Sequence, residues 1–187
     1  MYNIEYQEKV HIMNYKKFLV IDFELTCWDN NDNTNISEII EIGIVELDSN
    51  NMEILRTGQY FVKPNFSEIS KYCSQLTGIT DKKLKHAFLY DKIAEILKNK
   101  WGTKNKTWMA WGIDLKSAID NDNLYNIENT FSYSYVNLSH IFSIKHKNKK
   151  ATNLKEALKY YNLEFEGREH SALSDAINTA KLAKLLL

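Results

Sequence analysis

The chain has 187 residues, 44% hydrophobic, 26% charged and 12% aromatic, with six Gly and one Pro. That balance fits one ordinary globular domain and excludes a disordered or collagen-like chain. Twenty-four Lys and Arg offset twenty-four Asp and Glu, so no global field favours nucleic acid or an anionic membrane, and any polyanion contact must be local. Apolar runs such as 18–21 and 185–187 fall far short of the roughly 18 residues that a membrane-spanning helix needs.

The first fifteen residues include Glu5, Glu8, Lys9 and His11 and no apolar stretch leading to a small-residue cleavage site. They read as an extension or lead-in to one domain over 1–187, with a cytoplasmic address expected. Residues 16–26 (KKFLVIDFELT) and 39–47 (IIEIGIVEL) are predicted strands, separated by an Asn/Asp-rich loop. A third, 54–63, is stopped by Pro64. A short helix is predicted over 67–75, a turn over 77–80, and then a helix capped by Thr80 or Asp81 and running to about residue 97.

Residues 107–111 form a fourth predicted strand, followed by a helix from 115 to about 120, and 132–137 a fifth. Asn153 can cap LKEALKYY, and past the turn at Gly167 the last helix runs from about Ala172 to the end. The order βββα-βα-βα-α predicts an α/β fold, a central five-stranded mixed sheet flanked by helices.

Asp22 and Glu24 interrupt an otherwise apolar strand, and their two-residue spacing points both side chains the same way, about 6–7 Å apart. That arrangement is unfavourable without a cation; the alternative is a strand ending near Ile21 with both acids solvated. Asp114 follows the fourth strand, where a ligand and a first-turn helix acid look alike. His170 and Asp175 open the last helix, but five residues at 100° set them about 140° apart on an ideal helix, so they share a face only if His170 precedes it. Acids from separate elements meeting at one sheet end can hold divalent cations, and oxygen-only ligands favour Mg²⁺ or Mn²⁺. Two such ions suit in-line phosphodiester hydrolysis, with a histidine of ordinary pKa, roughly 6.5, taking the proton from water.

Asp22-Phe23-Glu24, Asp114 in WGIDLK, and His170 with Asp175 together resemble, in order, the D-x-E, D and H-x4-D motifs of the DEDDh 3′-to-5′ exonucleases, which have the ribonuclease H-like fold. IDFELTCW, EIIEIGIVELD, YFVKPNFSEISKYCSQLTGIT and EGREHSALSDAINTAKL extend the likeness. They point to the branch with the histone-mRNA and RNA-interference-associated exonucleases and KapD-like proteins, over about 16–187. The resemblance implies Asp22, Glu24, Asp114 and Asp175 as metal ligands, Asp22 bridging two ions, and His170 as general base. It implies a terminal-nucleotide pocket formed by Phe23, Leu25, Thr26, Leu76, Thr77 and Ile79; for Leu25, Leu76 and Ile79 an ordinary core role is the alternative. Ala172 and Ser174 depart from the family's HSGxDDA pattern at positions that are not ligands.

The basic run 145–150 offers Lys147, Lys149 and Lys150 as phosphate contacts, with a solvated loop as the alternative. Lys98, Lys100, Lys104 and Lys106 beside Trp101 form a second stretch that reads first as a loop with a docking Trp and second as a contributor to binding, and Trp28 can stack on a base or pack in its loop. Cys27 and Cys73, the only cysteines, can approach each other in the fold and are expected to be buried, unbonded thiols, with a disulfide as the alternative. The expected activity is hydrolysis of single-stranded RNA from its 3′ end; DNA as substrate, or a binding module without turnover, are the alternatives.

Overall fold

A computed structural model describes residues 16–29, 35–148 and 150–187, so the lead-in over 1–15 and Lys149 lie outside the described residues. Strands β1 (Lys17–Leu25), β2 (Ile39–Asp48), β3 (Ile54–Phe61), β4 (Trp108–Ala110) and β5 (Tyr135–Asn137) form one sheet in the order β3-β2-β1-β4-β5. β1 pairs antiparallel with β2 and parallel with β4, while β2 with β3 and β4 with β5 repeat those two senses. A strand in the middle of the sheet and covered on both faces must be apolar on both faces, which is why β1 and β2 show little alternation.

On one face Leu19, Ile21 and Phe23 pack with Ile93, Leu97, Trp101, Trp108 and Phe131. The other face carries Val20, Val45 and Met109 under Phe142, Leu158, Ala176, Ala180 and Ala183. These last residues come from α5 (Leu138–Lys145), α6 (Leu154–Tyr160) and α7 (Ala172–Leu186). By strand alternation Asp22 and Glu24 continue the Val20 row, so the face covered by α7 turns from apolar to acidic toward the end of β1.

The expected helix from 80 to 97 is two helices, α2 (Asp81–Leu84) and α3 (Tyr90–Ile96), the latter followed by a π-type turn over Leu97–Trp101. The break exists because Phe88 is extended: it bridges Val62, and its carbonyl accepts the Lys63 N–H at 2.8 Å. The helix expected from 67 is α1 (Lys71–Thr77), capped by Ser70, whose hydroxyl accepts the Cys73 N–H. Residues 65–67 are instead held by the buried Glu38 carboxylate, which accepts from the Asn65 and Phe66 N–H groups and the Ser67 hydroxyl. α4 spans Asp114–Leu124, longer than expected, and α5 has no counterpart in the sequence reading. Asn137 ends β5 and also caps α5, accepting from the N–H groups of Ser139 and His140, so no turn residue separates strand from helix. Thr80 and Asn153 cap α2 and α6 as expected, and Cys27 and Cys73 are free thiols.

Far from the acidic end, Glu46 is only 1% exposed and accepts from Lys17, from the Arg56 guanidinium and from Lys106 Nζ at 2.6 Å. Burial opposes ionisation, but the hydrogen bonds from Arg56, Lys106 and Lys17 prevail and bring its carboxyl down to about 2. Lys106 is therefore a structural cation and not part of a basic surface; the adjacent Trp101 is buried, its indole N–H on Tyr60 Oη. A depressed carboxylate pKa stabilises the fold above pH 4.5, and that contribution is lost as pH falls toward 2. Glu46→Ala is expected to lower the unfolding free energy at pH 7 by about 3 kcal/mol, because it strands Lys106 in the interior. An unchanged urea midpoint would refute this role.

Candidate active site

Asp22 and Glu24 come from β1 and Asp175 from the first turn of α7, and an oxygen of each lies within 4.8 Å of the others. Asp114 is the first residue of α4, just past β4, and its carboxylate accepts the Phe23 N–H as well as its own. Burial, then repulsion from Asp114, Asp175 and Glu24, holds the Asp22 carboxyl well above the usual range. Burial, with Asp175 and Glu41 next, pushes Glu24 to about 8, even though the Arg168 guanidinium works against it. Burial likewise carries Asp175 to about 7 and Asp114 to about 6. Four acids that resist ionising together, all with hard oxygen donors, fit divalent cations.

The approach of α7 depends on residues that the sequence reading did not single out. Gly43 stands opposite Asp22 in the β1–β2 register, and a Cβ there would lie 2.0 Å from the Ala172 carbonyl oxygen. The missing side chain is what lets the start of α7 rest on β2. Glu41, opposite Glu24 and 1% exposed, accepts from Gln59 at 2.6 Å and from the Ser171 hydroxyl at 3.2 Å, which fixes the residue before the helix. Buried Asn178 holds the lead-in: its Nδ2 donates to the Glu166 carbonyl, and its Oδ1 accepts the Glu166 N–H. The signals available were a glycine within a buried strand, an acid in an apolar run and an Asn in an apolar helix.

His170 precedes α7, as sharing a site with Asp175 requires, and adopts φ of 57°. The Asp175 carboxylate accepts the N–H groups of His170 and Ser171, so the metal-side acid also shapes the histidine's backbone. The exposed His170 ring and Asp175 border a cleft of about 350 Å³ with Asn153, Leu154, Lys155 and Phe165.

The expected pocket residues divide. Phe23 packs between Trp108 and Phe131. Thr26 Oγ1 accepts the Glu38 N–H and bonds Ser67, Thr77 Oγ1 donates to the Cys73 carbonyl, and Ile79 is fully buried. These four side chains are buried, because each strand or turn there is covered on its inner side. Leu25 and Leu76 are half-buried. Lys147 and Lys150 are exposed, and Lys104 pairs with Glu128 at 3.6 Å. Trp28 lines a separate groove with Tyr72 and Gln75 of α1.

The RNase_T family model, described as Exonuclease, matches residues 19–183. This chain belongs to that exonuclease family. The 3′-5′ exoribonuclease 1 of Rattus norvegicus is 30% identical over 188 residues, covering 92% of this chain and 53% of the relative. The probable 3′-5′ exonuclease KapD of Bacillus subtilis (strain 168) is 30% identical over 178 residues, covering 93% of this chain and 86% of KapD. This exonuclease-family chain thus spans about half the length of the mammalian exoribonuclease 1 it matches. The nuclease domain of 3′hExo, a DEDDh family member bound to rAMP, has a similar fold: TM-score 0.86, 25% identity, 92% of each chain covered. DEDDh exonucleases use divalent metal ions, in keeping with the carboxylate cluster of this family member.

Proposed function

We propose that the chain removes nucleotides from the 3′ end of single-stranded RNA and releases nucleoside 5′-monophosphates. The observation that carries this reading is the meeting of Asp22, Glu24 and Asp175 within 4.8 Å, with Asp114 beside them and His170 in the adjoining cleft. Asp22, Glu24, Asp114 and Asp175 would hold two ions, Mg²⁺ or Mn²⁺. When bound, such ions neutralise the carboxylates, acidify water and offset charge on the phosphate oxygens.

His170, exposed at the cleft, takes the proton of the attacking water. The water oxygen bonds to phosphorus as the bond to the penultimate nucleotide's 3′ oxygen breaks, so the phosphate leaves on the 5′ oxygen of the released nucleotide. Leu25 and Leu76 flank that terminal nucleotide, with the main chain of Phe23, Thr26, Thr77 and Ile79 behind them. Lys150, exposed in the basic run before α6, meets phosphates of the remaining strand, its charge giving affinity without sequence selection. RNA is favoured because the relatives at 28–30% identity include proteins named exoribonucleases.

The test uses 5′-labelled RNA and DNA oligomers of one sequence with Mg²⁺, Mn²⁺ or EDTA. RNA is expected to shorten from its 3′ end faster than DNA, to stop in EDTA, and to slow by about 10²-fold or more in His170→Ala. Faster loss of DNA would change the substrate, and no shortening of either oligomer with either metal would remove the catalytic reading.

A further inference from the structure

Arg168 lies two residues before His170, on the segment leading into α7, yet its side chain reaches the C-terminal end of α1. Nη1 donates to the Thr77 carbonyl at 2.8 Å and Nη2 to the Leu76 carbonyl at 3.1 Å. Carbonyls in the last turn of a helix lack partners within it, and a planar guanidinium can meet two successive ones at once. The next residue is shaped to the same group: Gly78 has φ of 69°, and a Cβ there would lie 1.6 Å from Arg168 Nη1. On its own side, the Arg168 N–H is held by Ser174 Oγ at 3.3 Å, from the first turn of α7. The segment 166–171 is therefore held along its length: by Asn178 at Glu166, by α1 and Ser174 at Arg168, by Lys155 at Glu169, and by Asp175 and Glu41 at His170 and Ser171.

We infer that Arg168 is a positioning residue that ties the α1 wall of the terminal-nucleotide pocket, at Leu76, Thr77 and Gly78, to the loop presenting His170. The inference rests on the nuclease reading above and adds a coupling between its two halves. A 3′ nucleotide seated against Leu76 bears on the same wall that sets the histidine, so correct seating and base placement are one event. The planar fork sets two N–H groups at a fixed spacing against the two carbonyls, a geometry that a lysine ammonium on its flexible stem does not reproduce.

The experiment measures kcat and KM on the RNA oligomer for wild type, Arg168→Ala, Arg168→Lys and Gly78→Ala, with hydrogen exchange followed in parallel. Arg168→Ala is expected to lose about 10²-fold in kcat, the scale of a misplaced catalytic group, with KM changed far less. Arg168→Lys recovers little, whereas added guanidinium ion at millimolar concentration restores part of the Arg168→Ala rate. Gly78→Ala, which keeps Arg168 but displaces its guanidinium, reproduces the kcat loss. In all three variants the peptide covering 166–171 exchanges faster, while peptides of β1 do not.

An unchanged kcat in Arg168→Ala, full recovery in Arg168→Lys, or unchanged exchange over 166–171 would each overturn the clamp while active wild type leaves the nuclease reading standing. Wild type inert on both RNA and DNA would instead remove the reading on which the clamp rests.

Discussion

Asp22→Asn is expected to abolish 3′-end hydrolysis and, in the same protein, to raise the melting temperature of the metal-free form. A lost metal ligand removes several kcal/mol of transition-state stabilisation, about 10³-fold in rate. The stability effect follows from proton linkage. In the folded chain the carboxyls of Asp114, Asp175 and Glu24 keep their protons to about 6, 7 and 8, against ordinary values of 3.8, 3.8 and 4.5. Between about pH 4 and 8 the native state thus binds more protons than the unfolded chain, so stability falls as pH rises and is lowest above pH 8.

Asn at position 22 carries no charge, which removes one source of repulsion at the centre of this group. The gain is about 1–3 kcal/mol, at about 2–4 °C for each, largest near pH 8 and fading toward pH 4. Saturating divalent cation offsets that difference, since wild type gains about 2.7 kcal/mol at a hundredfold excess over Kd. Scanning calorimetry in EDTA and in Mg²⁺, at pH 5 and pH 8, checks both effects. A variant that melts below wild type at pH 8 in EDTA would contradict the electrostatic account.

Gly43→Ala is expected to be nearly as damaging, although it adds one methyl group at a residue that touches no substrate. The new Cβ would meet the Ala172 carbonyl oxygen at 2.0 Å and the Leu173 nitrogen at 2.4 Å, main-chain atoms that no rotamer change can move aside. α7 must retreat from β2, carrying Asp175 away from Asp22 and Glu24. Overpacking of this kind costs about 1–3 kcal/mol, and a shift near 1 Å at a reacting centre costs about 10²-fold in rate. Urea unfolding and kcat on the RNA oligomer measure the two effects. Wild-type values in both would mean that α7 does not rest on Gly43.

The five strands and the acids on them were legible because each signal is local: β-branched and aromatic runs, the two-residue spacing of Asp22 and Glu24, and the Asn153 cap. The H-x4-D spacing even required His170 to precede its helix, and it does. What stayed hidden depends on partners distant in sequence. Lys106 looks like its neighbouring surface lysines until Glu46, sixty positions away, is brought against it. The break before Tyr90 is made by Val62, and the commitment of Thr26 to the core by Glu38 and Ser67. α5 was missed for a different reason: the residue that starts it also ends β5, so no punctuation marks the change.

β1 has a hydrogen-bonded neighbour on each side and a packed layer on each face. Opening it disrupts the sheet on both sides of Leu19 and Val20 and the β2 pairing along its length, so Asp22 and Glu24 are expected to exchange their amide protons far more slowly than the His170 segment. The His170 segment is exposed and joined to the rest by a handful of side-chain bonds. On warming, this division predicts two temperatures: a lower one at which turnover declines as the histidine wanders, and a higher one at which the capacity to bind divalent ions disappears with the fold itself.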